Sequence, residues 1–215
     1  MFTGIIEEIG TVKQIRQGTA SAVLNIRAER VLEGTKVGDS IAVNGICLTV
    51  ISLFPDAFTA DVMHETLNRA AMSGLACQKR VNLERAMQIN GRFNGHMVAG
   101  HIDGTGKIIH IHRDDTAVWF TIQTKPEIMR YIVEKGSVAI DGISLTAVNI
   151  KKTGFSVSAI PHTVRQTILQ DLKEGELVNL ETDLMGKYAG KFLFPSAEQQ
   201  KGHRITKEFL TNCGF

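Results

Sequence analysis

The chain has 215 residues, 43% of them apolar and 21% charged, the balance of an ordinary soluble globular protein with room for one large domain or two of about 100 residues. A net charge of +2, with the basic residues scattered, gives no footing for nucleic acid or an anionic membrane as a partner. No apolar stretch approaches the roughly 20 residues of a membrane span, and the opening Met1-Phe2-Thr3-Gly4-Ile5-Ile6-Glu7-Glu8 carries acids where a signal peptide would be basic and then apolar.

In chain order, residues 20–26 are rich in β-formers between polar ends and read as a strand. Residues 30–33 make at most one helical turn. Residues 41–52 read as two strands broken at Asn44-Gly45, a hairpin signal between apolar runs. Pro55-Asp56 is a turn, 58–63 a strand, 66–72 a short helix and 81–86 a strand. Next, 116–124 is a strand holding the only tryptophan, Trp119. Residues 126–134 read as a helix, with Pro126 at its first position, Glu127 in its first turn and Ile128, Met129, Ile132 and Val133 on one face. Lys135-Gly136 stops it. Residues 137–150 give two strands, 154–160 another and 177–182 the last. Helical apolar positions recur over 185–194 until Pro195 breaks them, and 205–210 read as a last short helix. Short strands with turns every 8–12 residues or so suggest small barrels or sandwiches rather than a parallel α/β sheet.

The chain repeats itself. Val43-Asn44-Gly45-Ile46-Cys47-Leu48-Thr49-Val50 matches Ile140-Asp141-Gly142-Ile143-Ser144-Leu145-Thr146-Ala147, and the glycines lie 142 − 45 = 97 positions apart. The same register pairs Ser40 with Ser137, Met63-His64-Glu65-Thr66 with Ile160-Pro161-His162-Thr163, and Val81-Asn82-Leu83-Glu84 with Val178-Asn179-Leu180-Glu181. Three separated blocks in one register mean duplication of a whole domain, far longer than a solenoid unit of roughly 20–50 residues. The expected division is 1–97, 98–184 and a tail 185–215, with each barrel closing its own core.

Together the opening Met1-Phe2-Thr3-Gly4-Ile5-Ile6-Glu7, the duplicated Asn/Asp-Gly-Ile-Cys/Ser-Leu-Thr block, the segment Gly95-His96-Met97-Val98-Ala99-Gly100-His101-Ile102-Asp103-Gly104 and the Asn-Leu-Glu endings resemble the riboflavin synthase family of the α-chain type. The resemblance runs from Met1 to about Tyr188; Asn94 departs from it, standing where the family shows a glycine. It implies two six-stranded Greek-key barrels, a C-terminal helix and a homotrimer whose reacting pair sits between barrels of neighbouring subunits. It implies dismutation of two molecules of 6,7-dimethyl-8-ribityllumazine, one giving a four-carbon unit to the other, without metal or redox cofactor. It also allows association with lumazine synthase, a lumazine-making capsid.

The same resemblance places Gly4, Ile5, Ile6, Cys47, Leu48 and Thr49, with Asp61, Val62, Met63, His64, Glu65 and Thr66, at the first pocket. It places Gly100, His101, Ile102, Lys135, Ser144, Leu145, Thr146, Ile160, Pro161, His162, Thr163, Val164 and Arg165 at the second. Ser40, Cys47, His101, Ser144 and Asp183 are its candidates for chemistry. The substrate carries its own electron sink, so the protein must align two molecules and relay protons. Hydroxyls at Thr49, Thr66, Thr146 and Thr163 suit a polyol and a uracil-like edge.

Each candidate has a plainer reading: Cys47 as a buried hydrophobe, Ser144 as a strand hydroxyl, Asp183 as a solvated strand end, His96 and His101 as loop residues, Glu84 and Glu181 as structural acids. The cysteines at 47, 77 and 213 follow no disulfide or zinc spacing and suggest reduced thiols in a cytosol. Three rival functions are a non-catalytic lumazine- or flavin-binding antenna protein, against which His101, Cys47, Ser144 and Thr146 all stand, a flavin-binding reductase barrel, whose strand motif is absent, and a structural β-barrel module with no ligand, against which the duplicated polar strand positions weigh only a little.

Overall fold

The computed structural model describes residues 1–18, 21–63, 76–193 and 211. Residues 1–184 form one compact unit and 185–215 another. The first unit holds two closed barrels of six antiparallel strands each. Barrel one comprises β1 (Glu8–Gln17), β2 (Ser21–Arg27), β3 (Ser40–Val43), β4 (Ile46–Phe54), β5 (Ala57–Met63) and β6 (Arg80–Arg85); barrel two comprises β7 (Gly104–Asp114), β8 (Ala117–Thr124), β9 (Ser137–Ile140), β10 (Ile143–Lys151), β11 (Gly154–Ala159) and β12 (Leu177–Thr182). Around barrel one the order is β1-β2-β5-β4-β3-β6, and barrel two repeats it strand for strand, so β2 passes over its neighbour in sequence to pair with β5 in Greek-key fashion.

The duplicated Asn44-Gly45 and Asp141-Gly142 pairs each make a two-residue turn with both residues at positive φ, 46° and 78° in one and 45° and 81° in the other. That geometry matches the twist of the flanking strands and explains Asn or Asp followed by Gly. The two turns touch back to back: a Cβ on Gly45 would lie 2.7 Å from the Gly142 nitrogen. Asn82 Nδ2 donates to the Asp141 carbonyl at 2.9 Å, and Asn179 Nδ2 donates to the Asn44 carbonyl at 3.0 Å. Phe2, Ala42, Val98 and Ala139 fill the space between the barrels.

Each barrel builds its buried core from its own half and adds one partly buried residue from the other. Ile6, from the first half, packs against the core of barrel two. Ile102, from the second half, packs against the core of barrel one. The leading segments have crossed over, an exchange that the repeat does not announce.

Two strands escape the hydropathy pattern, β1 and β7. Each carries a bulge, at Val12/Gln14 and Ile108/His110, that shifts the alternation midway and hides the period of two. The register also has two values. Gly4 and Gly100 stand in equivalent places 100 − 4 = 96 apart, whereas Ser40 and Ser137 are 137 − 40 = 97 apart, so the second half carries one extra residue between these points.

The helix expected over 126–134 is a single turn, α1 (Pro126–Met129); Ile128, Met129 and Ile132 are buried, but Val133 is 62% exposed. Lys135, at φ 64°, reverses the chain there. A second helix, α2 (Pro161–Gln166), occupies a stretch read only as pocket wall, with Pro161 at its start. In the tail unit, α3 (Leu184–Leu193) exposes Met185, Tyr188, Phe192 and Leu193. The helices expected over 66–72 and 205–210 lie outside the described residues.

Candidate active site

On barrel one, β3, β4 and β5 bring Ser40, Thr49 and Asp61 into one cross-strand row. Thr49 and Asp61 face solvent, Ser40 and Cys47 are half-buried, and Met63 is 69% exposed. On barrel two Ser137 pairs with Thr146 and Ser158 holds the place of Asp61 in the repeat, with Ser144 half-buried on β10 where Cys47 stands on β4. A serine thus replaces the Asp61 carboxylate. The rows then diverge: Asp61 is followed by Val23, Ser158 by Trp119, whose ring stacks on His112 with centroids 5.9 Å apart and planes inclined by 7°.

Alternation along the strands turns Leu48, Val62 and Leu145 inward, 3%, 0% and 8% exposed, so these three expected pocket residues are core side chains. Val164 is likewise packed in the core of barrel two. Ile160, Pro161, His162 and Arg165 are exposed and Thr163 is half-buried, at the start of and along α2. Lys135 is exposed beside the β9–β10 hairpin, and Ala147 accepts its N–H at 2.8 Å. His64, Glu65 and Thr66 lie outside the described residues.

The leading segments serve the opposite barrels, which reverses the pocket assignment expected for them. The Gly4 carbonyl accepts the N–H of Ser144 at 2.8 Å, and the Gly100 carbonyl accepts the N–H of Cys47 at 2.9 Å. Gly4, Ile5 and Ile6 therefore belong with Ser144; Gly100, His101 and Ile102 belong with Cys47. Ile5 and His101 stand exposed. Both glycines have positive φ, 77° and 84°, and a Cβ on either would come within 2.6 Å of the Cβ it faces.

His96 joins the second cluster. Its Nδ1 lies 2.7 Å from Ser144 Oγ, the residue is 6% exposed, and its Nε2 is buried with no hydrogen-bond partner among the described residues. Burial holds its pKa below the ordinary imidazole value, against the opposing pull of the nearby Asp183 carboxylate. Ser144, His96 and Asp183 thus gather at the end of β12. Sequence reasoning passed His96 over because it lies in the connection between the repeats, which has no second copy to reveal it; Gly95 at φ 78°, against Thr3 and Ser144, is the local signal.

Beside barrel one lies a groove of about 630 Å³ walled by Thr3, Ile5, Glu7, Ser40, Glu84, Arg85, Met87, Arg92 and Asn94 among others. It includes Ser40 and Ile5 of the sequence candidates but neither Cys47 nor Ser144. Arg85 and Glu7 cross it as an ion pair.

The model of the lumazine binding domain matches the chain twice, over residues 3–86 and 99–183. A riboflavin synthase of Actinobacillus pleuropneumoniae is 50% identical over 215 residues, all of both chains. That of Bacillus subtilis is 43% identical, again over all of both. Among solved structures, LumP complexed with 6,7-dimethyl-8-(1'-D-ribityl) lumazine aligns at a TM-score of 0.77 and 23% identity, covering 85% of this chain and 99% of that one. LumP complexed with riboflavin aligns at 0.78 and 24%. At that identity the likeness is one of fold.

Proposed function

Because the chain belongs to the riboflavin synthase family, with a lumazine-binding domain in each half, we propose that it dismutates two molecules of 6,7-dimethyl-8-ribityllumazine into riboflavin and 5-amino-6-(ribitylamino)uracil. One molecule gives up a four-carbon unit and the other receives it, so the carbon balance closes without an outside reagent. The observation that carries the reading is the doubled but unequal site: Cys47 and Ser144 hold equivalent strand positions, one pocket for each of two identical molecules.

Three contacts support a division of labour. Neutral His96 takes the Ser144 proton at Nδ1, so the pair relays protons to and from the lumazine in the second pocket. Asp183 steadies the positive charge that His96 acquires. The Cys47 side, with Ser40, Thr49, Asp61 and His101, binds and orients the other molecule. Alignment of the two rings is the largest contribution, worth about 7–11 kcal/mol in well-oriented systems.

The chain works as a cytoplasmic homotrimer, divided as 1–97, 98–184 and 185–215, with the reacting molecules between the first barrel of one subunit and the second barrel of the next. The exposed Thr49, Asp61 and Met63 on one barrel, and Thr146 and Ile160 on the other, support completion by a neighbour. Exposed Tyr188, Phe192 and Leu193 on α3 support helix-mediated association. The antenna reading is weaker, since the full-length relatives at 50% and 43% identity are synthases.

The test is incubation with the lumazine alone, following flavin absorbance and the pyrimidine. Equal amounts of both products support the reading. Binding without turnover returns it to the antenna class.

A further inference from the structure

We infer that Glu84 and Glu181 are positioning residues that act across the barrel boundary, Glu84 on Ser144 and His96 of the second site and Glu181 on Cys47 of the first. Both acids are buried, 4% and 1% exposed, near the ends of β6 and β12. From the repeat alone they are equivalent structural residues. Their hydrogen bonds lead elsewhere.

Glu84 gathers the first leading segment. Its Oε1 accepts the N–H and the Oγ1 hydroxyl of Thr3, each at 2.7 Å, and its Oε2 accepts the Gly4 N–H at 3.0 Å. The segment so fixed turns two carbonyls toward the other site: Thr3 accepts the His96 N–H at 3.1 Å, and Gly4 accepts the Ser144 N–H at 2.8 Å. Both members of the Ser144–His96 pair thus have their backbones set by a loop that one carboxylate holds. Glu181 does the same for the second segment, accepting the Ala99 and Gly100 N–H groups at 2.6 and 2.9 Å; Gly100 then accepts the Cys47 N–H at 2.9 Å.

The strands need this support. Pairing of β4 with β5 begins at Thr49, and pairing of β10 with β11 begins at Ala147. Cys47 and Ser144 precede those points, so one edge of each strand start has a glycine carbonyl where a strand neighbour would be. The Cβ clearance at Gly4 and Gly100 leaves no slack in either contact. A shift of the loop therefore moves the strand start, and with it Sγ or Oγ.

A carboxylate suits the task because its two oxygens only accept, matching two or three donors from successive backbone groups. Glutamine of the same volume would turn an NH2 toward an N–H donor. The positioning stands on the hydrogen bonds alone; its role in the reaction rests on the pocket roles proposed above.

Thiol reactivity in the folded full-length chain separates the two. In a Cys77→Ser/Cys213→Ser background Cys47 is the sole thiol, and its rate with an aromatic disulfide reports its position and environment. In a second background, adding Cys47→Ser and Ser144→Cys moves the reporter to the other site. Glu181→Gln should change the rate at position 47 by about fivefold or more while Glu84→Gln changes it by less than about twofold, and at position 144 the two effects should exchange, fivefold being the worth of one net hydrogen bond. If a glutamine variant does not fold by circular dichroism, the aspartate variants at the same positions carry the same comparison. Equal effects of both acids on both thiols, or no effect of either, overturns the inference. In turnover, Glu84→Gln should lower kcat more than it raises KM, with partial recovery in Glu84→Asp. A crossed thiol pattern with unchanged turnover upholds the positioning and overturns the pocket roles.

Discussion

The two barrels share one strand order and one hairpin, yet they present different chemistry. Barrel one offers Cys47, the Asp61 carboxylate and, further along the row, Val23. Barrel two offers Ser144 bonded to His96, Ser158 in place of the carboxylate, and Trp119 stacked on His112. Duplication built two like barrels; the departures from the repeat make the exposed side chains around Cys47 and Ser144 unequal. The difference that counts most comes from outside the repeat, since His96 is donated by the connecting segment. A copied scaffold thus acquires two chemically unequal sides without any change of fold.

That inequality can be broken most directly at the proton relay. Ser144→Ala and His96→Gln should each lower kcat by about 10²–10⁴, the usual worth of positioned acid–base catalysis, with flavin absorbance as the measure. Cys47→Ser keeps a hydrogen-bonding group of similar shape and should cost far less. Equal losses at 47 and 144 would mean that the two pockets do the same work. The pH profile sharpens the point. Burial keeps His96 neutral to below its ordinary pKa of 6.5, so kcat should hold down to that pH and fall only beneath it, and His96→Gln should abolish that acid limb.

The crossed leading segments give the next effect. A chain cut after Met97 lacks Ile102 and the Gly100 carbonyl, whereas one cut after Asp103 keeps both. The longer fragment should be more stable to urea by about 1–3 kcal/mol, the scale of burying one aliphatic side chain. Equal midpoints would show that the first barrel needs nothing from the second half.

Much of this was legible in the sequence. The 97-residue register located the hairpins, and Asn44-Gly45 and Asp141-Gly142 announced their turns through residues that tolerate positive φ. The bulged strands β1 and β7 stayed hidden because a single extra residue reverses the alternation. The crossing of Ile6 and Ile102 was illegible because a repeat states which residues are equivalent, not which barrel they enter. Leu48, Val62 and Leu145 were read as pocket walls because the resemblance marks segments, while the pleat sends every second side chain inward.

A smaller effect concerns the hairpins themselves. Asn44 Oδ1 accepts the Asn82 N–H at 2.7 Å, and Asp141 Oδ1 accepts the Asn179 N–H at 2.9 Å in the equivalent place. Burial, partly offset by that hydrogen bond, raises the Asp141 pKa from 3.8 to about 7. The folded chain therefore keeps a proton that the unfolded chain releases between these values, and stability falls as pH rises through that window. Asp141→Asn copies the first hairpin and removes the penalty. It should gain about 1–2 kcal/mol at pH 8, near the cost of one poorly satisfied buried group, and little at pH 4. A gain independent of pH would assign the benefit to turn geometry instead of charge.

The central claim, two unequal pockets on two like barrels, is tested most directly by equilibrium titration of the full-length protein with riboflavin, read by quenching of flavin fluorescence. Two classes of site with different Kd are predicted, Ser144→Ala altering one class and Cys47→Ala the other. A single class, or one substitution altering both classes alike, would contradict it.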